Sequence, residues 1–153
     1  MNKIWVSFLP GIILLSACGN SEIIARDSWI RAAPEDGNSA AYLILQNNTG
    51  ADDELVGASS DSAQAVELHE SKIGDDGVMQ MIPRSTILIR AGEEVEFEPG
   101  GLHVMFVGLK QNLDAGDEIT MTLHFKNGKD ISINVPVKDT AEKGGAGMDG
   151  YMP

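Results

Sequence analysis

The feature that most limits the fold of this sequence is a regular alternation of apolar and polar residues between positions 119 and 137. The odd positions from 119 to 125 are Ile, Met, Leu and Phe, and those from 131 to 135 are Ile, Ile and Val. Neighbouring side chains of a strand point to opposite faces, so this spacing is typical of strands with one buried face. Asn127-Gly128 lies between the two runs and is a strong signal for a tight hairpin turn. The segment therefore predicts a β-hairpin packed on a hydrophobic core.

Shorter runs of the same kind occur along the rest of the chain. They are separated by turn-forming residues such as Pro99-Gly100-Gly101. Helical spacing is scarce, and only residues 49–64 leave room for a short helix without requiring one. Many short strands with frequent turns favour an all-β antiparallel sandwich. We predict strands at 28–33, 40–46, 65–70, 86–89, 94–97, 102–109, 119–126 and 130–137.

The N-terminus reads as a targeting segment. Lys3 precedes an apolar run at 4–15, which is shorter than the roughly 20 residues that cross a bilayer but fits a secretory signal. Leu15-Ser16-Ala17-Cys18 resembles a bacterial lipobox, in which cleavage before the Cys is coupled to its lipidation. We predict a signal peptide at 1–17, then lipidated Cys18 and a tether to residue 26. The protein would be periplasmic or otherwise extracytoplasmic and anchored to a membrane, the outer membrane included. Ordinary cleavage that leaves a free Cys is the alternative.

The remainder of the chain predicts one domain. Residues 138–153 are Gly-rich without apolar periodicity, and we expect them to be disordered, which leaves a folded domain at 27–137. The chain has 23 acidic and 11 basic residues and a net charge of −12. This charge repels phosphates and argues against a nucleic-acid partner. It favours solubility, and it could also steer the protein to a cation or a cationic partner.

The single Cys limits the thiol chemistry that the mature chain could perform. Lipidation of Cys18 removes the only thiol of the chain. Disulfide formation and thiol–disulfide exchange are then excluded. The Cys thiolate that blue-copper electron-transfer sites require is also missing.

Two histidines and two methionines form the candidate site, namely His69, Met81, His103 and Met105. Thioether sulfur is soft and favours Cu(I) over zinc, magnesium or calcium. His103 and Met105 are two residues apart in a predicted strand, so they share a face and lie roughly 6.5–7 Å apart. The combination indicates a Cu(I) site.

Each of these residues also has an ordinary structural interpretation. A single strand His is commonly a surface residue, for which His124 is the example in this chain. A single Met commonly fills a core, as we expect for Met121. Met79 has the same strand parity as Met81, so it is either a second candidate ligand or a gap filler. Only the combination of residues supports metal binding.

The spacing of the four residues carries a resemblance to a known family. Eleven residues separate His69 from Met81, and twenty-one separate Met81 from His103, with Met105 two positions further on. This pattern is similar to that of the periplasmic copper chaperones of the PCuAC type. The surrounding segments resemble that family too, at 28–32 (SWIRA), 39–43 (SAAYL), 66–70 (VELHE), 77–81 (GVMQM) and 99–105 (PGGLHVM).

The resemblance implies a cupredoxin-like β-sandwich over about 27–137 that binds one Cu(I) through these four residues. It also implies copper delivery outside the cytoplasm to a membrane or periplasmic protein, notably a cytochrome c oxidase subunit with a dinuclear copper centre, or to another copper chaperone. Many members carry a further Met directly after the first His, where this chain has Glu70. The tail has Met148 and Met152 but no His, which argues against a second, Cu(II)-type site there.

Other functions remain open at this stage. A copper storage or tolerance lipoprotein would use the same residues, and in a structural lipoprotein they would be incidental. An enzyme is disfavoured, because the sequence offers no second redox centre and no Ser/His/Asp or paired-carboxylate arrangement with recognisable spacing.

Overall fold

A computed structural model describes residues 21–139, and these form ten β-strands. The predicted signal peptide, Cys18 and the predicted tail from residue 140 onward lie outside this part of the chain. Residues 21–139 contain no helix that is long and apolar enough to cross a bilayer. The strands are β1 (Ile23–Arg31), β2 (Ser39–Asn47), β3 (Asp53–Ser59), β4 (Ala63–Ile73), β5 (Met79–Pro83), β6 (Ile87–Ile89), β7 (Glu94–Phe97), β8 (Leu102–Leu109), β9 (Glu118–Phe125) and β10 (Ile131–Lys138).

The strands form a two-layered sandwich. One layer has the order β5–β4–β8–β2–β1. The first half of β2 pairs with β8, and its second half pairs with β7 on the same side. The other layer has the order β10–β9–β3–β6. A short parallel pairing of Ile30 with Val137 joins β1 to β10, and all other strand pairs are antiparallel. The predicted all-β sandwich is confirmed, with this one parallel junction added.

The core lies between the inner faces of the two layers. Val104 and Phe106 of β8 belong to one buried cluster with Leu55 and Leu123 of the other layer. Burial of such a side chain stabilises the fold by about 1.5–3 kcal/mol. Met121 belongs to the same cluster, which confirms its predicted role as core filler.

All eight predicted strands are present, but the structure adds β3 and β5. Residues 53–59 form β3 where a short helix was allowed, because β3 pairs with both β6 and β9 and buries Leu55. β1 begins at Ile23, inside the predicted tether 18–26, because Ile23 pairs with Asn47 and packs against the core. β10 likewise includes Lys138, the first residue of the predicted tail.

The buried carboxylate of Asp53 holds the turn between β9 and β10. It accepts hydrogen bonds from the backbone N–H groups of Glu54 (2.8 Å), Asn127 (3.0 Å) and Gly128 (2.7 Å). A side chain at position 128 would place its Cβ 2.8 Å from the same carboxylate, so glycine is needed there. Burial on its own raises the pKa of Asp53, but these hydrogen bonds to the charged form outweigh it and lower the pKa.

We expect Asp53→Ala to lower the free energy of unfolding by about 1–3 kcal/mol, because backbone donors lose their acceptor. Since the folded pKa is depressed, the carboxylate stabilises the fold fully above its unfolded pKa of about 3.9. That contribution is lost as pH falls through the lower folded pKa. Urea unfolding of both proteins at pH 7 and at pH 3 measures the difference.

Asp75→Ala is the matched control, because Asp75 is exposed in the turn before β5. This variant should unfold as the parent does at both pH values. A deficit in Asp53→Ala that does not shrink in acid would contradict the assigned role of the carboxylate.

Candidate metal centre

The two candidate histidines lie directly opposite each other on neighbouring strands. His69 of β4 pairs with His103 of β8, and Glu67 pairs with Met105. Paired residues of an antiparallel ladder project from the same face, so both imidazoles and the Met105 thioether share one face. The two rings have centroids 5.8 Å apart and meet edge to face at 61°. The predicted face shared by His103 and Met105 is thus present, and His69 projects from the same face.

The β4–β5 hairpin brings the candidate methionine to the same face. Met81 pairs with Ser71, which is two residues beyond His69 on β4. Met81, His103 and Met105 line one cavity of about 320 Å³. Met81 is 57% exposed, so the cavity opens to solvent on the side of β5. Three of the four candidate ligands, Met81, His103 and Met105, therefore share this opening, and His69 lies beside His103 on the neighbouring strand.

His103 presents one ring nitrogen without a partner. Its Nδ1 lies 3.1 Å from the carbonyl oxygen of Gly101, which can only accept, so Nδ1 carries the proton. The lone pair is then on Nε2, which is buried and has no hydrogen-bond partner. The whole side chain is only 3% exposed. His103 thus holds an unsatisfied lone pair within the fold.

His69 repeats this arrangement with the opposite nitrogen. Its Nε2 lies 2.9 Å from the carboxylate of Glu67, so in the neutral ring Nε2 donates and Nδ1 keeps the lone pair. Nδ1 is buried and unpartnered as well. An unsatisfied buried polar atom costs about 1–3 kcal/mol, so both nitrogens are suited to accept a donor or bind a ligand. Metal-bound histidines commonly have their second nitrogen held by a carboxylate or a backbone carbonyl, as here.

Glu67 is a functional candidate that the sequence analysis missed. It lies two residues before His69 on the same strand and therefore on the same face. The spacing of two residues is visible in the sequence, but the hydrogen bond between Glu67 and His69 depends on the conformation of both side chains. Within residues 21–139, no three His, Cys, Asp or Glu side chains lie close enough together to hold a metal ion.

Glu70 lies on the opposite face of β4. Its carboxylate is 3.1 Å from Lys72 Nζ and 3.6 Å from Arg84 Nε. Its partners across the sheet are Leu102 and Ile82 rather than the histidines. A side chain at position 70 therefore projects away from the His/Met face in this chain.

Aromatic side chains close the cavity on the side of β1 and β2. The Tyr42 ring is 6.5 Å from the His103 ring, and the Trp29 ring is 4.6 Å from that of Tyr42. Arg31 donates a hydrogen bond of 3.3 Å to the Tyr42 hydroxyl. These contacts fix the wall against which His103 packs.

The structure also assembles Ser59, His124 and Asp130, which no sequence spacing indicated. His124 Nε2 is 2.8 Å from the Ser59 hydroxyl, and Nδ1 is 2.8 Å from the Asp130 carboxylate. Hydrolytic triads depend on a buried Asp and a site that excludes water. Ser59 and Asp130 are both exposed, unlike the residues of such a triad. The two hydrogen bonds instead link β3 and β9 to the loop before β10. His124 is the hydrogen-bonded surface residue that was predicted.

Comparison with known proteins gives a family match over nearly all of the described chain. The family model described as "Putative lipoprotein LpqE-like" matches residues 23–137. A putative lipoprotein of Leifsonia xyli subsp. xyli is 36% identical over 112 residues, which cover 73% of this chain and 67% of the relative. An uncharacterized protein of Rickettsia prowazekii is 37% identical over 101 residues, which cover 65% of this chain and 55% of the relative. The chain thus spans little more than half the length of the second relative.

Solved structures match the sandwich. The copper-bound PCuAC domain from PmoF2 superposes with a TM-score of 0.65 at 24% identity, over 77% of this chain and 93% of that domain. The solution structure of CuI-DR1885 from Deinococcus radiodurans matches with a TM-score of 0.56 at 30% identity, over 74% of this chain and 76% of that protein. The predicted cupredoxin-like architecture is confirmed by these matches.

Proposed function

Because the chain belongs to the LpqE-like family and has the fold of the PCuAC domains, we propose that it is an extracytoplasmic copper(I) chaperone. The observation that carries the proposal is the pair of buried, unpartnered ring nitrogens, His69 Nδ1 and His103 Nε2, on adjacent strands. With the sulfurs of Met81 and Met105, they form a neutral set of two nitrogen and two sulfur donors. The structure of CuI-DR1885, at 30% identity, supports Cu(I) as the cargo.

The donor types suit carriage of Cu(I) in an oxidising compartment. Thioether and imidazole bind the soft ion without a thiolate, and neither is lost to disulfide formation. His103 would hold the ion from within the cavity, and His69 would hold it from the neighbouring strand. The exposed Met81 would hold it at the open side, where an acceptor can approach. Such a site is suited to ligand exchange with another protein.

The acceptor in this proposal is a copper-binding membrane or periplasmic protein. The dinuclear copper centre of cytochrome c oxidase is the candidate that the family resemblance indicates, and another copper chaperone is the alternative. Lipidation of Cys18, in keeping with the lipoprotein description of the family, would hold the domain at the membrane surface.

Anaerobic titration of the purified protein with Cu(I) should give one bound equivalent. Met81→Leu and Met105→Leu keep the side-chain size and remove the sulfur. Each should weaken Cu(I) binding at least about tenfold, measured by competition with a chromophoric chelator. Tenfold is about the smallest loss of affinity expected even when an outer-shell group is removed.

Met121→Leu is the matched control, because Met121 is buried in the opposite sheet. Its Cu(I) affinity should equal that of the parent. No bound copper in the parent protein, or parental affinity in both Met81→Leu and Met105→Leu, would reject the assigned site.

A further inference from the structure

A third methionine faces the same cavity as the proposed site. Met79 and Met81 are two residues apart on β5, so they share a face and lie roughly 6.5–7 Å apart. Both line the cavity that also contains His103 and Met105. The proposed donor set uses Met81 and leaves the sulfur of Met79 without a role.

The surroundings of Met79 do not fit a core filler. Its side chain is 58% exposed, and it pairs with Ile73, which is 72% exposed. β5 is the outermost strand of its sheet, and edge strands ordinarily carry charged residues where they are exposed. An exposed thioether on this edge gains little from burial. Its position beside the cavity is the feature that needs an explanation.

The strand register orders the candidate ligands along one face of the β4–β5 hairpin, from the histidines toward its turn. His69 pairs with Pro83, Ser71 pairs with Met81, and Ile73 pairs with Met79 next to the hairpin turn. Successive pairs are two residues apart on each strand, so all three lie on one face and approach the turn of the hairpin in this order. A Cu(I) ion that leaves the histidines along this face meets the sulfur of Met81 first and that of Met79 next.

We propose that Met79 is an exit ligand that carries Cu(I) from the resting site to the rim during transfer to a protein acceptor. A bond from the Met79 sulfur to Cu(I) forms as a bond from a resting-site ligand breaks. Because one neutral donor replaces another, neither the charge nor the oxidation state of the ion changes. This role rests on the proposed chaperone function and adds a residue that the resting site does not need.

The test separates equilibrium affinity from transfer rate. Met79→Leu keeps the size and apolar character of the side chain and removes the sulfur. Its Cu(I) affinity in chelator competition should stay within about twofold of the parent, a shift of about 0.4 kcal/mol. Transfer to the reduced, metal-free soluble copper domain of a bacterial cytochrome c oxidase should slow about tenfold, which corresponds to about 1.4 kcal/mol in the barrier.

Two further variants make the result specific. Val78→Leu changes an exposed neighbour that has no sulfur, and it should alter neither quantity. Met81→Leu should weaken binding at equilibrium. A parental transfer rate in Met79→Leu would overturn the exit role while leaving the chaperone function intact, and a loss of affinity equal to that of Met81→Leu would make Met79 a resting ligand instead. A parent protein that binds no Cu(I) would reject the chaperone function itself.

Discussion

Replacing His103 by leucine is expected to weaken Cu(I) binding by at least about a hundredfold. Loss of an outer-shell group already weakens metal binding by about 10–100-fold, and loss of a direct ligand should reach or exceed the upper end of that range. The apo protein should nevertheless remain folded. Leucine removes the buried, unpartnered Nε2, which costs the parent about 1–3 kcal/mol, and it also removes the hydrogen bond to Gly101, worth about 1 kcal/mol. Thermal unfolding of the metal-free variant should therefore resemble or exceed that of the parent.

Copper should stabilise the two proteins differently. Ligand that binds only the folded state adds about 2.7 kcal/mol to the free energy of unfolding at a free concentration of one hundred times Kd. The parent should show this gain when loaded with Cu(I), and His103→Leu should lose most of it at the same copper concentration. Parallel melts with and without Cu(I) measure the difference.

His124→Leu is the matched control, because His124 lies on β9 in the other sheet. It should keep the parental Cu(I) affinity, and it should lose some stability because Ser59 and Asp130 lose their partner. If His103→Leu retained parental Cu(I) affinity, or if both variants weakened binding equally, the assignment of His103 as a ligand would be rejected.

The sequence predicted the strands whose pattern is local. The alternation in β9 and β10 is visible in adjacent residues, and the structure has that hairpin. The predicted tight turn at Asn127-Gly128 is wrong in length, because five residues, 126–130, connect the two strands. β3 was missed because Gly57 and Ala58 have weak strand preference. Its stability comes from pairing with β6 and β9, which are distant in sequence.

The same distinction applies to the candidate site. The parity of His103 and Met105 follows from their spacing, but the pairing of His69 with His103 depends on how β4 and β8 align. The free nitrogen of each ring is set by Gly101 in one case and Glu67 in the other. Those contacts arise only in the folded chain. The resemblance to a known family gave the ligand set, and the structure adds the atoms that would bind.

Glu67→Gln is expected to weaken Cu(I) binding by about 10–100-fold, because Glu67 fixes the orientation and tautomer of His69. The carboxylate accepts the Nε2–H at 2.9 Å and so leaves the buried Nδ1 free to bind the ion. The negative charge also makes the ring a better donor, and an amide cannot supply that charge. The loss corresponds to about 1.4–2.7 kcal/mol of binding free energy and is read from chelator competition.

Folding stability should change little, because Glu67 is 52% exposed and such exposed pairs contribute about 0–1 kcal/mol. Glu70→Gln is the matched control, since Glu70 is on the same strand but projects from the other face toward Lys72 and Arg84. This control should keep parental Cu(I) affinity. Equal affinities in the two glutamine variants would contradict the role of Glu67, because only the carboxylate of Glu67 contacts the His69 ring.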